Sequence, residues 1–103
     1  MSIIHANVEN FENEVLKNEK KVILDFYADW CGPCRMMAPI VHQIASEHPE
    51  ILVGKINVDE ETDLASQFGV ESIPTLVVMK DGEIINQAAG AMPKAQVMQL
   101  IPM

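Results

Sequence analysis

One run of six residues, Val22-Ile23-Leu24-Asp25-Phe26-Tyr27, limits the architecture more than any other stretch. Its apolar residues are consecutive rather than alternate, so a strand built from it buries both faces, which requires helices packed on each side of a sheet. Shortly after it, Cys31-Gly32-Pro33-Cys34 opens a helical pattern. A strand that feeds a Cys-x-x-Cys at a helix start sets the first sulfur beside unpaired backbone N–H groups and the positive end of the helix dipole. That environment favours thiolate over thiol, and such a thiolate can attack a disulfide.

Cys31 and Cys34 are the only two cysteines among 103 residues, a length that predicts one domain over 1–103 with a core that needs no disulfide or metal staple. The start, Met1-Ser2-Ile3-Ile4-His5, has no basic segment leading into a long apolar one, and no apolar run approaches the roughly 18 residues that span a bilayer. A cytoplasmic protein is expected, and in that compartment a cysteine pair is catalytic rather than structural. The net charge of −8, with no basic cluster, excludes nucleic acid and anionic membrane as partners.

Along the chain, Ile3-Ile4 suggests a first strand, and Asn7 a cap for a helix carrying Phe11, Val15 and Leu16. Asp25 is the misfit of the central run: buried there, its carboxyl is either paired or protonated, whereas at a strand end near solvent it is ordinary. After Cys34, Met37, Ile40, Val41, Ile44 and Ala45 form one apolar helix face. Pro39 kinks that helix and His48-Pro49 ends it. Ile51 to Val58 is the next buried strand, with Lys55 as its odd member, either a charge partner for Asp25 or a side chain snorkelling to the surface. The acidic run from Asp59 leads into a short helix, Asp63 to Phe68, stopped by Gly69. Asp81-Gly82 joins Leu76 to Lys80 and Glu83 to Ala89 as an antiparallel hairpin, and Pro93 starts a short last helix with Val97, Leu100 and Ile101. The order β-α-β-α-β-α-β-β-α gives an α/β fold, a five-stranded mixed sheet flanked by four helices, whose first three strands are parallel. The dithiol falls at the C-terminal end of the second strand.

Phe26-Tyr27-Ala28-Asp29-Trp30-Cys31-Gly32-Pro33-Cys34, together with Ile73-Pro74-Thr75, resembles the thioredoxin family, and the likeness runs from about Ile3 to the last helix. The resemblance implies the thioredoxin fold and a general protein-disulfide reductase. Its centre is a redox-active Cys31–Cys34 disulfide, with Cys31 attacking and Cys34, recessed behind an exposed Cys31, resolving. It further implies that Asp25 passes protons to and from Cys34 with Lys55 nearby. Trp30 shields the dithiol and lines the client groove with Gly32, Pro33 and Gly90. The Ile73-Pro74 bond, which sequence alone would leave trans, is cis, and the Ile73 backbone is free to pair with an extended client segment. For Trp30 a core position, and for Gly90 a plain loop position, remain the bland readings.

Gly32-Pro33 is the filling of reducing members, whereas isomerase-like and oxidase-like relatives usually carry a His there. Tyr27 stands where Trp is common in the family, and Arg35 where Lys is common. By the same likeness the protein is a monomer with no tightly bound cofactor, served by a thioredoxin reductase, either flavin-dependent and drawing on NADPH or ferredoxin-linked, and acting on disulfide-bearing clients. Three other classes stand beside this reading: a non-catalytic binding module; a zinc site joining Cys31 and Cys34 to two of His5, His42 and His48; and a glutathione-dependent, glutaredoxin-like enzyme, whose usual Pro-Tyr filling is absent.

Overall fold

In the computed structural model, which describes residues 3–102, the apolar run forms β2 (Lys21–Tyr27) at the middle of a five-stranded sheet. The other strands are β1 (Ile3–His5), β3 (Ile51–Asn57), β4 (Thr75–Lys80) and β5 (Glu83–Ala89), and the spatial order is β1-β3-β2-β4-β5. β1 and β2 both pair parallel with β3; β4 runs antiparallel to β2, and β5 antiparallel to β4. Four helices flank the sheet among the described residues: a π-helical segment (Phe11–Leu16), α1 (Gly32–Glu47), α2 (Thr62–Gln67) and α3 (Lys94–Leu100). The sheet is mixed and the fold is α/β, as the pattern predicted.

Alternation along β2 divides the core. Ile23 packs with Met37, Val41 and Ile44 of α1, and with Val97 of α3. Val22, Leu24 and Phe26 face the other way, against Phe11, Val15 and Leu64. Asp25 therefore shares the face of Ile23, the one that α1 covers. The Phe68 ring, just past α2, packs edge-on to Phe11, with 5.7 Å between centroids, and tilted against Phe26 at 5.5 Å.

The first helix departs from expectation. Asn7 does not cap it: Asn7 and Asn10 exchange backbone-to-side-chain hydrogen bonds, each 2.9 Å, and Asn10 Nδ2 donates to the His5 carbonyl. That closed turn takes up the backbone donors a helix would have used, and helical structure begins only at Phe11. The segment is π-helical, with Lys17 N–H donating five residues back to Glu12.

Other punctuation follows its chemistry. α1 runs through Pro39 and stops at His48, before Pro49. α2 begins one residue earlier than the acidic pattern suggests, at Thr62, and Gly69 (φ 64°) turns the chain beyond its end while Val70 N–H donates back to Ala65. Asp81 and Gly82, with φ of 54° and 79°, make the two-residue turn whose twist matches paired strands. Pro93 precedes α3 rather than lying in its first turn. α3 is short, yet Val97 and Ile101 are buried and Lys94 forms an ion pair with Glu47, tying it to α1.

Candidate active site

The end of β2 and the start of α1 bring Cys31 and Cys34 together as a disulfide with 5.2 Å between Cα atoms. Cys31 is the residue before α1, in an extended conformation (φ −89°, ψ 111°), and its Sγ accepts the Cys34 backbone N–H at 3.2 Å. That N–H has no partner within the helix, so the sulfur supplies the cap that a serine or aspartate oxygen usually would. A negative charge forming on Cys31 Sγ would strengthen this hydrogen bond and meet the positive helix end.

Exposure does not separate the two sulfurs as expected. Cys31 and Cys34 are each only 4% exposed, packed with Ala28 and against Tyr27, Val58 and Ile73. The expected exposed nucleophile is corrected here. Val58, just past β3, and Ile73, from the loop before β4, pack against the cluster that holds both cysteines, a consequence of topology that local sequence does not carry.

The Ile73–Pro74 bond is cis, and the Ile73 carbonyl lies 3.9 Å from Cys31 Sγ. Pro74 in turn accepts the Gly90 N–H at 2.8 Å, which draws the end of β5 to this loop. Gly90 has φ 100°, a region side chains rarely adopt, and a Cβ there would meet no neighbouring atom. Backbone conformation, rather than crowding within the chain, calls for glycine. Gly32 and Pro33 form the first turn of α1.

Trp30 is turned outward, 68% exposed, and its Nε1 donates to Asp59 Oδ2 at 2.9 Å. It stands outside the buried sulfur cluster and lines a cleft with Val58 and Ile73. In the sequence Asp59 is only the first residue of an acidic run. The signal that finds it is register: Tyr27 and Asn57 end paired strands, so the segments leading on to Trp30 and Asp59 leave the sheet side by side. Arg35, beyond the second cysteine, donates from Nε and Nη2 to the Asp29 carbonyl and closes the loop ahead of the dithiol.

Beneath α1, Asp25 is 1% exposed, and neither carboxyl oxygen has a hydrogen-bond partner among the described residues. Lys55, directly opposite on β3, brings Nζ to 3.9 Å from Asp25 Oδ2, with its own side chain 12% exposed. The ammonium also stands over the Tyr27 ring, 4.6 Å from the centroid. Burial pushes the Asp25 carboxyl up from 3.8 to about 6, and Lys55 opposes the shift without cancelling it. Burial raises the Tyr27 hydroxyl too, aided by the negative charges of Asp29 and Glu60. A cleft of about 230 Å³ reaches this region, and both Cys34 and Lys55 line it. Among the described residues no group of three or more His, Cys, Asp and Glu side chains is placed to hold a metal ion.

Residues 2–102 match the family model described as Thioredoxin. The chain belongs to the thioredoxin family. It is 48% identical over 96 residues to "Thioredoxin 1" of Synechococcus elongatus, covering 91% of this chain and 90% of that one. To the "Thioredoxin" of Chlorobaculum thiosulfatiphilum it is 40% identical over 97 residues, 93% and 90% of the two chains. To that of Haemophilus influenzae it is 40% identical over 100 residues, 96% and 94%. The protein is thus a thioredoxin-type thiol–disulfide oxidoreductase, with the Cys31–Cys34 disulfide as its redox-active centre and, as in thioredoxins generally, no tightly bound cofactor. Membership also implies a reductase that regenerates the dithiol and clients that carry disulfides.

Proposed function

We propose that the chain works as a single, monomeric, cytoplasmic thioredoxin domain over 1–103, in which Cys31 is the attacking sulfur and Cys34 the resolving one. The observation that carries this assignment is the hydrogen bond from Cys34 N–H to Cys31 Sγ at the start of α1, which stabilises charge on Cys31 alone. A cytoplasmic setting is supported by the need of a working dithiol for a reducing compartment. The net charge of −8, which sets copies of the chain against one another, supports the monomer.

In the reduced protein, the Cys31 thiolate attacks one sulfur of the client disulfide, forming a mixed disulfide and expelling the other client sulfur as thiolate. Cys34 then gives up its proton, with Asp25 as the acceptor and Lys55 holding the ionised carboxylate in check. Its thiolate attacks Cys31 Sγ, so that the second client thiolate leaves and the Cys31–Cys34 disulfide closes. Two electrons have passed to the client. Ile73, held by the cis Pro74, binds an extended client segment through its backbone, Gly90 lets that segment approach closely, and Trp30, Gly32 and Pro33 border it.

Insulin disulfide reduction tests the reading. With NADPH and a flavin-dependent thioredoxin reductase, turnover is expected, and Cys31→Ser should bring it to background. Activity with ferredoxin and its thioredoxin reductase in place of NADPH would assign the other electron donor. Retained turnover in Cys31→Ser would overturn the nucleophile assignment.

A further inference from the structure

Beside the dithiol lies a cleft of about 180 Å³, enough for one side chain, lined by Trp30, Val58, Ala65, Val70, Glu71, Ser72 and Ile73. Its floor is apolar: Val58, Ala65, Val70 and Ile73 are all half-buried. Trp30 forms an aromatic wall whose indole is anchored to Asp59. Glu71 is exposed at the cleft and carries its only charge. The cleft adjoins the reacting atoms, since Ile73 contributes both to it and to the carbonyl 3.9 Å from Cys31 Sγ.

An apolar floor, an aromatic face and a carboxylate together match one kind of side chain. The methylene stem of an arginine or lysine lies along the floor, its cation faces the indole, and its donors reach the carboxylate. An acidic side chain would meet Glu71 and Asp59 as like charges, and an aliphatic one would forgo both the ring and the carboxylate. We infer that this cleft is a specificity pocket for a basic side chain placed about two residues from the attacked cysteine of a client, with Glu71 as the discriminating residue. The inference rests on the disulfide-reductase reading above and names the clients that reductase prefers.

The test compares three disulfide-linked peptide pairs in single-turnover reduction by the dithiothreitol-reduced, desalted full chain. One has Arg two residues from the reactive cysteine and one has Gln there. The third keeps the Gln and moves the Arg to the far end of the segment, which preserves net charge. A single exposed charge contact and a cation facing the indole are each modest, so the adjacent-Arg peptide should react about fivefold faster than the Gln peptide. The far-Arg peptide should gain little. In Glu71→Gln the advantage should shrink to about twofold, and in Glu71→Lys it should vanish or reverse. Raising ionic strength should erode it in the wild type.

Equal rates for all three peptides in the wild type would overturn the pocket while leaving the reductase reading intact. An equal gain for near and far Arg would assign the effect to overall charge and also overturn it, as would an adjacent-Arg advantage unaltered in Glu71→Lys. Failure to reduce any of the peptides would instead count against the reductase reading.

Discussion

Asp25 and Lys55 face each other across adjacent parallel strands, Nζ 3.9 Å from Oδ2, with the carboxyl sealed in the core and the ammonium at its margin. The pair is unequal: desolvation acts fully on the acid, while the base keeps contact with solvent and with the Tyr27 ring. The acid is therefore held up near 6 despite a cation beside it.

That shift has a signed consequence for stability. Well below pH 3.8 the carboxyl is protonated folded or unfolded and costs nothing extra. As pH rises, the unfolded chain loses the proton near 3.8 while the folded protein keeps it until about 6. Stability from this group is thus lost across that window, by about 3 kcal/mol in all. Asp25→Asn should match wild type near pH 3.5 and exceed it by about that amount above pH 7, measured by urea unfolding. Glu47 and Glu50, whose carboxyls are lowered by hydrogen bonds, pull the opposite way and cancel in the difference between the two proteins. A difference independent of pH would refute the assignment.

Removing the cation isolates its share. In Lys55→Met the Asp25 midpoint, followed by carboxyl carbon NMR, should move above about 6, because Lys55 is the influence that lowers it. An unchanged or lower midpoint would mean that the 3.9 Å contact does not couple the two groups.

The two sulfurs should separate in a trapping experiment. Cys34→Ser leaves Cys31 able to form a mixed disulfide but removes the thiol that resolves it, so covalent client adducts should accumulate to near one per protein. Intact-mass analysis reads this directly, and adducts forming on Cys34 in Cys31→Ser instead would reverse the roles.

Asp59 is expected to act through Trp30, the only tryptophan of the chain. Asp59→Ala should release the indole, lowering its fluorescence anisotropy, while changing folding stability by less than about 1 kcal/mol because the contact is exposed. Anisotropy equal to wild type would show that the hydrogen bond does not hold the ring.

Much of this was legible in sequence for local reasons. Consecutive apolar residues made β2 and β3 unmistakable, and Asp25 and Lys55 stood out as charges within them. Asp81-Gly82 fixed the hairpin because few residue pairs accept its geometry. What escaped depended on partners distant in sequence. The cluster that buries Cys31 includes Val58 and Ile73 from other elements, and the anchor on Trp30 is Asp59. At the first helix the local signal points elsewhere: Asn7 is a good cap residue, but its amide is taken up in the closed turn with Asn10.

The packing of Val58 and Ile73 against the cysteine pair also bears on how such an enzyme would sample its targets. With so little of Cys31 open to solvent, the proposed pairing at Ile73 would need a client sulfur delivered on a strand slim enough to lie against that backbone. A disulfide locked inside a rigid fold must first peel away from its own structure. Every 1.4 kcal/mol or so spent on that local opening slows reduction about tenfold. The rate at which this small domain reduces a protein would then be a reading of how loosely that protein holds its disulfide.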